Sequence, residues 1–593
     1  MKYLSTITLA TSLIVAQNID LGEVVVVSAT KSEQKLKDVT SNVVVITKED
    51  LEAKHITTVA EALREAQGVI VTQAGGLGGP ASVYLRGFDS DSTVVLVDGV
   101  RINNPTLIGG QADIGNLIIN DIDRIEIIKG PQSGVYGANA VAGVINIITS
   151  KANKKCSSNI NFEYGSYNTK KSQVSFGKKF GNLSAKISYS YLKSGGFSAQ
   201  ADIKKDLDSY EDDSYENKNL NAKASYDFSQ NDKLDLEYMQ IDSVIDYDKS
   251  LFEQEGFTLT KNTKLYNIAF THKYSNNSYS KIYFNRANFT TKDPLGWIPV
   301  FEGSNKQYGI DNKITFENLD ILFGLDRVES KDKVNNKTLK SKGVYITANY
   351  KYNNTIVSAT LRRDFYSEFK DETTGKIGIK HTFDNGLAVS ANYGKAYRVP
   401  SLFEYSLNPN LEPETTKSYD IGFEFKNFTF TYFNNKIDDE ILYDMNLWSY
   451  YNSSKGAKIK GYEIGYKGSI SDTLLFSLNY TRFSAKDKDG YQLLRRPKFI
   501  ANLDLDYYGF EKTHINFNAQ YIGKREDLDF STIPAKKVNT GNKFIANASI
   551  DYQISKNASL YLKINNIFDK KYQDVAGYAT SGRAFYVGIN AKF

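Results

Sequence analysis

From about residue 157 onward, apolar and polar residues alternate with a period of two, and the alternation rarely breaks. In LSAKISYSYLKS, Leu183, Ala185, Ile187, Tyr189 and Tyr191 fall on one face, and Ser184, Lys186, Ser188 and Ser190 on the other. LNAKASYDF repeats the pattern, with Leu220, Ala222, Ala224, Tyr226 and Phe228 against Asn221, Lys223, Ser225 and Asp227. The chain ends the same way, with Phe585, Val587, Ile589, Ala591 and Phe593 on the apolar side. Such a period predicts strands with one apolar and one polar face. A sandwich strand alternates likewise, but this much Lys, Asn and Ser on the second face needs water there. A lipid-facing exterior around a wet lumen satisfies both faces. Tight-turn signals separate the strands at SQND near 230, YNN near 353, DNG at 384–386, SD at 471–472 and KN at 556–557. Other connections, 195–217 and 525–544, are long and polar. Short and long connections in alternation are expected of a membrane β-barrel with tight turns on one side and large loops on the other. At roughly 20 residues per strand and connection, residues 151–593 make about 22 antiparallel strands.

Before residue 150 the pattern is mixed. NVVVITKEDL runs from a strand into a helix opened by Thr47, with Asp50 as its capping-box partner. A second helix, TTVAEALREAQG, is expected to start near Thr57 or Thr58 and stop at Gly68. SVYLRG, STVVLVDG, RIEIIKG and GVINIIT read as short buried strands. Residues 38–150 therefore form a small mixed α/β domain, and a barrel of about 22 strands has room to hold it as a plug.

Composition narrows the class. A positive Lys2, an apolar run and Ala16 suggest a secretory signal peptide over residues 1–16. The single cysteine, Cys156, forms no intrachain disulfide, and a net charge of +5 is too balanced for a nucleic-acid partner. The 41 tyrosines and 33 phenylalanines, with a negative mean hydropathy, suit an exported barrel. Enzymatic motifs are missing. No GK is followed by Ser or Thr, no GxSxG occurs, and the four histidines make no HExxH pair.

Several long motifs, in order, then carry a family resemblance. IDRIEIIKGPQSGVYGANAVAGVINIIT (122–149) and YLRGFDSDSTVVLVDGVRIN (84–103) resemble the plug signatures of TonB-dependent outer-membrane receptors. NPNLEPETTKSYDIGFEF (408–425), LRRPK, NNIFDKKY and the terminal Phe593 resemble their barrels. The resemblance implies a monomer in the outer membrane of a Gram-negative bacterium, surrounded by its lipid. Its task would be to import scarce, bulky cargo with energy delivered by TonB and the inner-membrane energising complex. No cofactor is required for that. In physical terms, Gly130, Gly134, Gly137 and Gly143 permit tight turns. Arg86, Arg101, Arg124, Glu126 and Lys129 are too many charges for a small core, and are expected to dock the plug on the lumen wall; ordinary surface charges are the alternative.

The resemblance implies that residues 17–37 are an N-terminal periplasmic segment. Within it EVVVVSAT resembles the TonB box of the family, carried by Glu23, Val24, Val25, Val26, Val27, Ser28 and Ala29. An extended β-branched segment can add itself to a partner's sheet edge. The polar KSEQKLKD that follows reads as its tether. The same valines also suit the first strand of the plug sheet.

Length, plug wording and the C-terminal GYATSGRAFYVGINAKF look most similar to the family's cobalamin transporters. That likeness implies cobalamin or a related corrinoid as cargo. A ferric siderophore or haem is the alternative within the family, and a passive plugged channel or adhesin the alternative outside it. Cargo contacts are expected at plug-loop apices, Gly76 and Leu77 in GGLGGP and Leu107, Ile108 and Gly109 in TLIGG, with simple turn chemistry the other reading of GGLGGP. The likeness also implies calcium in two acidic outer loops, SYEDDSYEN and QIDSVIDYDKS. Glu211, Asp213 and Asp248 fall on ligand positions, with Tyr247 beside them and Asp202 a looser candidate. A solvated acidic loop is the other reading.

Overall fold

Strand Cys156–Gly165 pairs with strand Ala584–Lys592, and that pairing closes a single antiparallel barrel of 22 strands. The structure is a computed structural model, and it describes residues 24–152, 156–200, 210–249, 256–296, 298–530 and 534–593. The expected signal peptide and Glu23 lie outside the described residues.

The barrel is inside-out relative to a water-soluble fold. On Leu183–Ser194, the apolar Leu183, Ile187 and Tyr189 are exposed, whereas Ser188 and Ser190 are buried against the lumen contents. Phe585, Val587 and Ile589 on the last strand are likewise exposed, facing the hydrocarbon that a membrane supplies. The tight turns fall where expected. Strands end and restart at Asp227 and Asp232, Tyr352 and Thr355, Thr382 and Leu387, Ser471 and Leu474, and Ser555 and Ala558. The long connection expected at 525–544 contains a hairpin of its own, Glu526–Asp529 with Lys536–Asn539, and the next barrel strand begins at Lys543.

Inside the barrel sits the plug. Its five-stranded sheet runs in the order Val43–Thr47, Ile122–Lys129, Gly143–Thr149, Thr93–Val97, Val100–Arg101, with one parallel pair between Thr93–Val97 and Gly143–Thr149. The segment SVYLRG joins a separate hairpin, Val69–Gln73 with Ala81–Leu85. Helix Lys48–Ala53 is opened by the Thr47–Asp50 capping box. Helix Val59–Arg64 is capped by Thr58 but ends four residues before Gly68. Gly68 is instead a turn residue at φ +75°, where a Cβ would lie 2.1 Å from Glu463 Oε1 of the wall. The plug core is continuous with the wall: Ile125, Ile127 and Ile145 cluster with Phe433, Ile459 and Phe483 of barrel strands.

Candidate functional site

At the inner end, the N-terminal segment is folded onto the plug rather than hanging free. Val25–Val26 pairs with Gln34–Lys35 in a short hairpin, and the expected tether is turned back to form its second arm. The valines do not join the plug sheet. Val26 is fully buried with Ala29 and Val39. Beyond the hairpin, Glu126 takes over as the partner. Its carboxylate accepts the Val27 amide at 3.1 Å, the Ser28 amide at 2.9 Å and the Ser28 hydroxyl at 2.6 Å. Arg124 Nε donates to the same carboxylate at 2.8 Å. The Ser28 carbonyl accepts Tyr136 Oη and the Ser28 hydroxyl accepts Asn146 Nδ2, both at 2.9 Å. Every polar group of Ser28 is thus satisfied by plug side chains, and releasing the segment opens no rung of the plug sheet. Lys31 tethers the hairpin to the wall, 3.6 Å from Asp326 and 3.2 Å from the Tyr345 hydroxyl.

The five charged plug residues divide. Arg86 reaches the wall, with Nη2 3.1 Å from Glu463 and Nη1 3.4 Å from Asp420, and its guanidinium lies over the Phe433 ring. Lys129 joins it, 3.1 Å from Glu463. Burial holds the Lys129 ammonium down to about 8, with Glu463 opposing the shift. Arg124 and Glu126, expected to dock on the wall, instead hold the N-terminal segment, and Arg124 also pairs with Asp123. The reason is the period of the strand: positions 124 and 126 share one face, and 129 lies on the other. Arg101 donates to the Tyr136 carbonyl at 2.7 Å and so braces the plug helix Ser133–Tyr136.

At the outer end, the expected cargo contacts lie on two separate plug loops. Gly76 and Leu77 lean on the wall, Gly76 beside Phe197 and Leu77 against a cluster that joins the plug's Ile118 to Tyr215 and Ile245 of the barrel. Leu107, Ile108 and Gly109 form the second loop. Ile108 is 59% exposed, and its carbonyl accepts the Ser401 hydroxyl of the wall. Ser401 caps the helix Leu402–Leu407, which carries Phe403. Phe403 packs edge-on to Tyr450 of a hairpin, Glu440–Asp444 with Ser449–Ser453, and Tyr450 packs on Tyr443. Sequence reading missed this aromatic wall. YDMNLWSYY is its only trace, an aromatic-rich run in a stretch whose other residues read as loop.

The acidic outer loops converge. One carboxylate oxygen each from Glu211, Asp213 and Asp248 lies within 4.8 Å of the others. Asp213 Oδ2 accepts the Ala199 amide at 2.6 Å, and Asp248 Oδ2 accepts Ser198 Oγ and the Gln200 amide. The facing oxygens, Glu211 Oε1, Asp213 Oδ1 and Asp248 Oδ1, are buried without hydrogen-bond partners. Burial, with neighbouring carboxylates, pushes Glu211 up to about 8 and Asp213 up to about 7. A hard cation bound by oxygen fits three such orphaned acceptors. Tyr247 stands apart. Its hydroxyl donates to Asp293 at 2.9 Å, just past the end of strand Asp232–Asp246. Asp202 lies outside the described residues.

The comparisons with known proteins agree on the class. Residues 157–567 match the family described as TonB dependent receptor-like, beta-barrel, and residues 35–144 match the TonB-dependent receptor plug domain. The vitamin B12 transporter BtuB of Vibrio vulnificus is 26% identical over 98% of this chain and 96% of its own length. Among solved structures, the siderophore receptor PirA of Acinetobacter baumannii superposes with a TM-score of 0.79 at 19% identity, covering 93% of this chain and 98% of PirA. The ferripyoverdine receptor of Pseudomonas aeruginosa superposes at 0.78 with 15% identity, covering 97% of this chain and 90% of that one. The chain belongs to the TonB-dependent receptors, the plugged β-barrels of the Gram-negative outer membrane, and is a transporter rather than an enzyme.

Proposed function

We propose that this receptor imports cobalamin or a related corrinoid, driven by TonB acting on residues 23–29. The observation that carries the cargo assignment is the near-full-length likeness to a vitamin B12 transporter. The similar siderophore receptors share the fold at lower identity, so a ferric siderophore is the second reading.

In this reading the docked segment is the TonB box. Its release costs the three hydrogen bonds that Val27 and Ser28 make to the Glu126 carboxylate. Charge-assisted bonds of this kind contribute about 1.5–3 kcal/mol each. That range holds the segment at rest yet lets a partner replace the bonds by strand addition. Force on the released strand is transmitted through residues 31–38 to the plug. Glu211, Asp213 and Asp248 would hold calcium, which would supply the positive charge that fixes the two outer loops beside the plug. Among the described residues the receptor's own work is to seat cargo on the outer plug loops and to keep the lumen closed through Arg86, Lys129 and Glu463.

The test is growth. A strain lacking this protein should regain corrinoid-dependent growth on low cobalamin when the gene is restored. Rescue on a ferric siderophore and not on cobalamin would replace the corrinoid reading with the second one.

A further inference from the structure

A cavity of about 290 Å³ lies between the plug and the wall, next to the first cargo loop and the acidic loops: Gly76, Leu77, Phe197 and Asp213 line it. Its charge is uneven. At one place three cations surround a single buried carboxylate, Asp574. Lys543 Nζ contacts it, Arg525 Nη2 lies at 3.0 Å and Arg64 Nη2 at 3.5 Å. The cluster therefore carries two more positive charges than negative ones. The Arg525 side chain is 2% exposed, and its Nη1 is buried with no hydrogen-bond partner. Arg64, Lys543 and Asp574 line the cavity itself. Of the cavity's other carboxylates, Glu65 and Asp504 lie at Lys54 and Glu163 between Lys171 and Lys563, whereas Glu61 and Asp213, elsewhere on the lining, form no ion pair among the described residues.

Burying unbalanced positive charge with an unused donor is costly unless an anion completes the set. A guanidinium pair with an ammonium suits a phosphate or carboxylate oxygen pair. We infer that the Arg64–Arg525–Lys543 cluster around Asp574 is an anion subsite of the transport path. Its ligand class is a phosphate ester. The subsite rests on the corrinoid reading for the identity of that ester, because a complete corrinoid carries one phosphodiester in its nucleotide loop and cobinamide carries none. Arg64 comes from the plug helix Val59–Arg64, whereas Arg525, Lys543 and Asp574 come from barrel residues. An anion bound here therefore bridges plug and wall, and leaves when the plug moves.

Arg64→Gln removes one cation and leaves Asp574 paired with Arg525 and Lys543, so the fold is retained; heat-modifiable mobility on gels checks this. Binding of cyanocobalamin and of dicyanocobinamide is measured on the full-length receptor in detergent. The expected result is a loss of about tenfold for cyanocobalamin in the variant, with cobinamide changed less than about threefold. In a second arm, inorganic phosphate raises the thermal midpoint of the wild type over chloride at equal ionic strength, and does so less in Arg64→Gln. Equal losses for both corrinoids overturn the assignment to the cargo's phosphodiester. Absence of any differential phosphate effect overturns the anion site itself. If the wild type binds neither corrinoid, the cargo reading fails, and the phosphate arm alone decides the site.

Discussion

The Glu126 carboxylate holds Ser28 by both its backbone amide and its hydroxyl, at 2.9 and 2.6 Å, across 98 residues of chain. One side chain of the plug sheet thereby fixes the segment proposed as the TonB box. Glu126→Ala should undock that segment without opening the plug, since Arg86, Lys129 and Glu463 are untouched. Affinity for the periplasmic domain of TonB in the absence of cargo should rise at least about tenfold, from the loss of charge-assisted bonds of about 1.5–3 kcal/mol each. A spin label near residue 27 should become mobile. Unchanged mobility and unchanged TonB affinity would mean that Glu126 does not set the docking equilibrium.

Glu463 is the counter-charge for both Arg86 and Lys129. Glu463→Ala leaves Lys129 unpaired and Arg86 with Asp420 alone, a broken buried network worth about 3–5 kcal/mol. The plug should become sensitive to limited proteolysis and the barrel leaky in planar bilayers. A variant with wild-type conductance would show that apolar packing alone retains the plug.

The barrel was legible because solvent imposes its period, with water on one face of each strand and hydrocarbon on the other; most plug strands were legible as short apolar runs bounded by Gly or Asp. The docking of the N-terminal segment was not legible. Val24 to Val27 announce a strand, but nothing local says that Glu126 and Tyr136 lie beside Ser28. Arg124 and Glu126 announce themselves by charge alone, and charge does not reveal which face of a strand a residue takes. Tyr247 and Asp248, beyond the end of their strand, are neighbours in sequence whose side chains part company in space. The acidic loops were found because acidity is a compositional signal. The aromatic wall of Phe403, Tyr443 and Tyr450 was missed because aromatic residues are everywhere in this chain and carry no position of their own.

The acidic cluster gives a pH signature. With no ion bound, Glu211 and Asp213 hold protons up to about 8 and about 7. Folded-state values above the ordinary carboxylate range mean that stability is intact below those ordinary values and is lost as pH rises through 7 and 8. Calcium should replace the protons in that window. Titration calorimetry should show calcium binding about tenfold tighter at pH 8 than at pH 6, with chelation destabilising the receptor more at pH 8. Affinity that does not vary with pH, or no binding at all, would remove calcium from the account.

The central claim, that the docked segment is the handle by which TonB drives import, is tested most directly by deleting residues 23–29 and measuring surface binding and uptake of labelled cyanocobalamin in the same cells. The account predicts binding at the wild-type level with uptake abolished. Uptake that continues at the wild-type rate would contradict it.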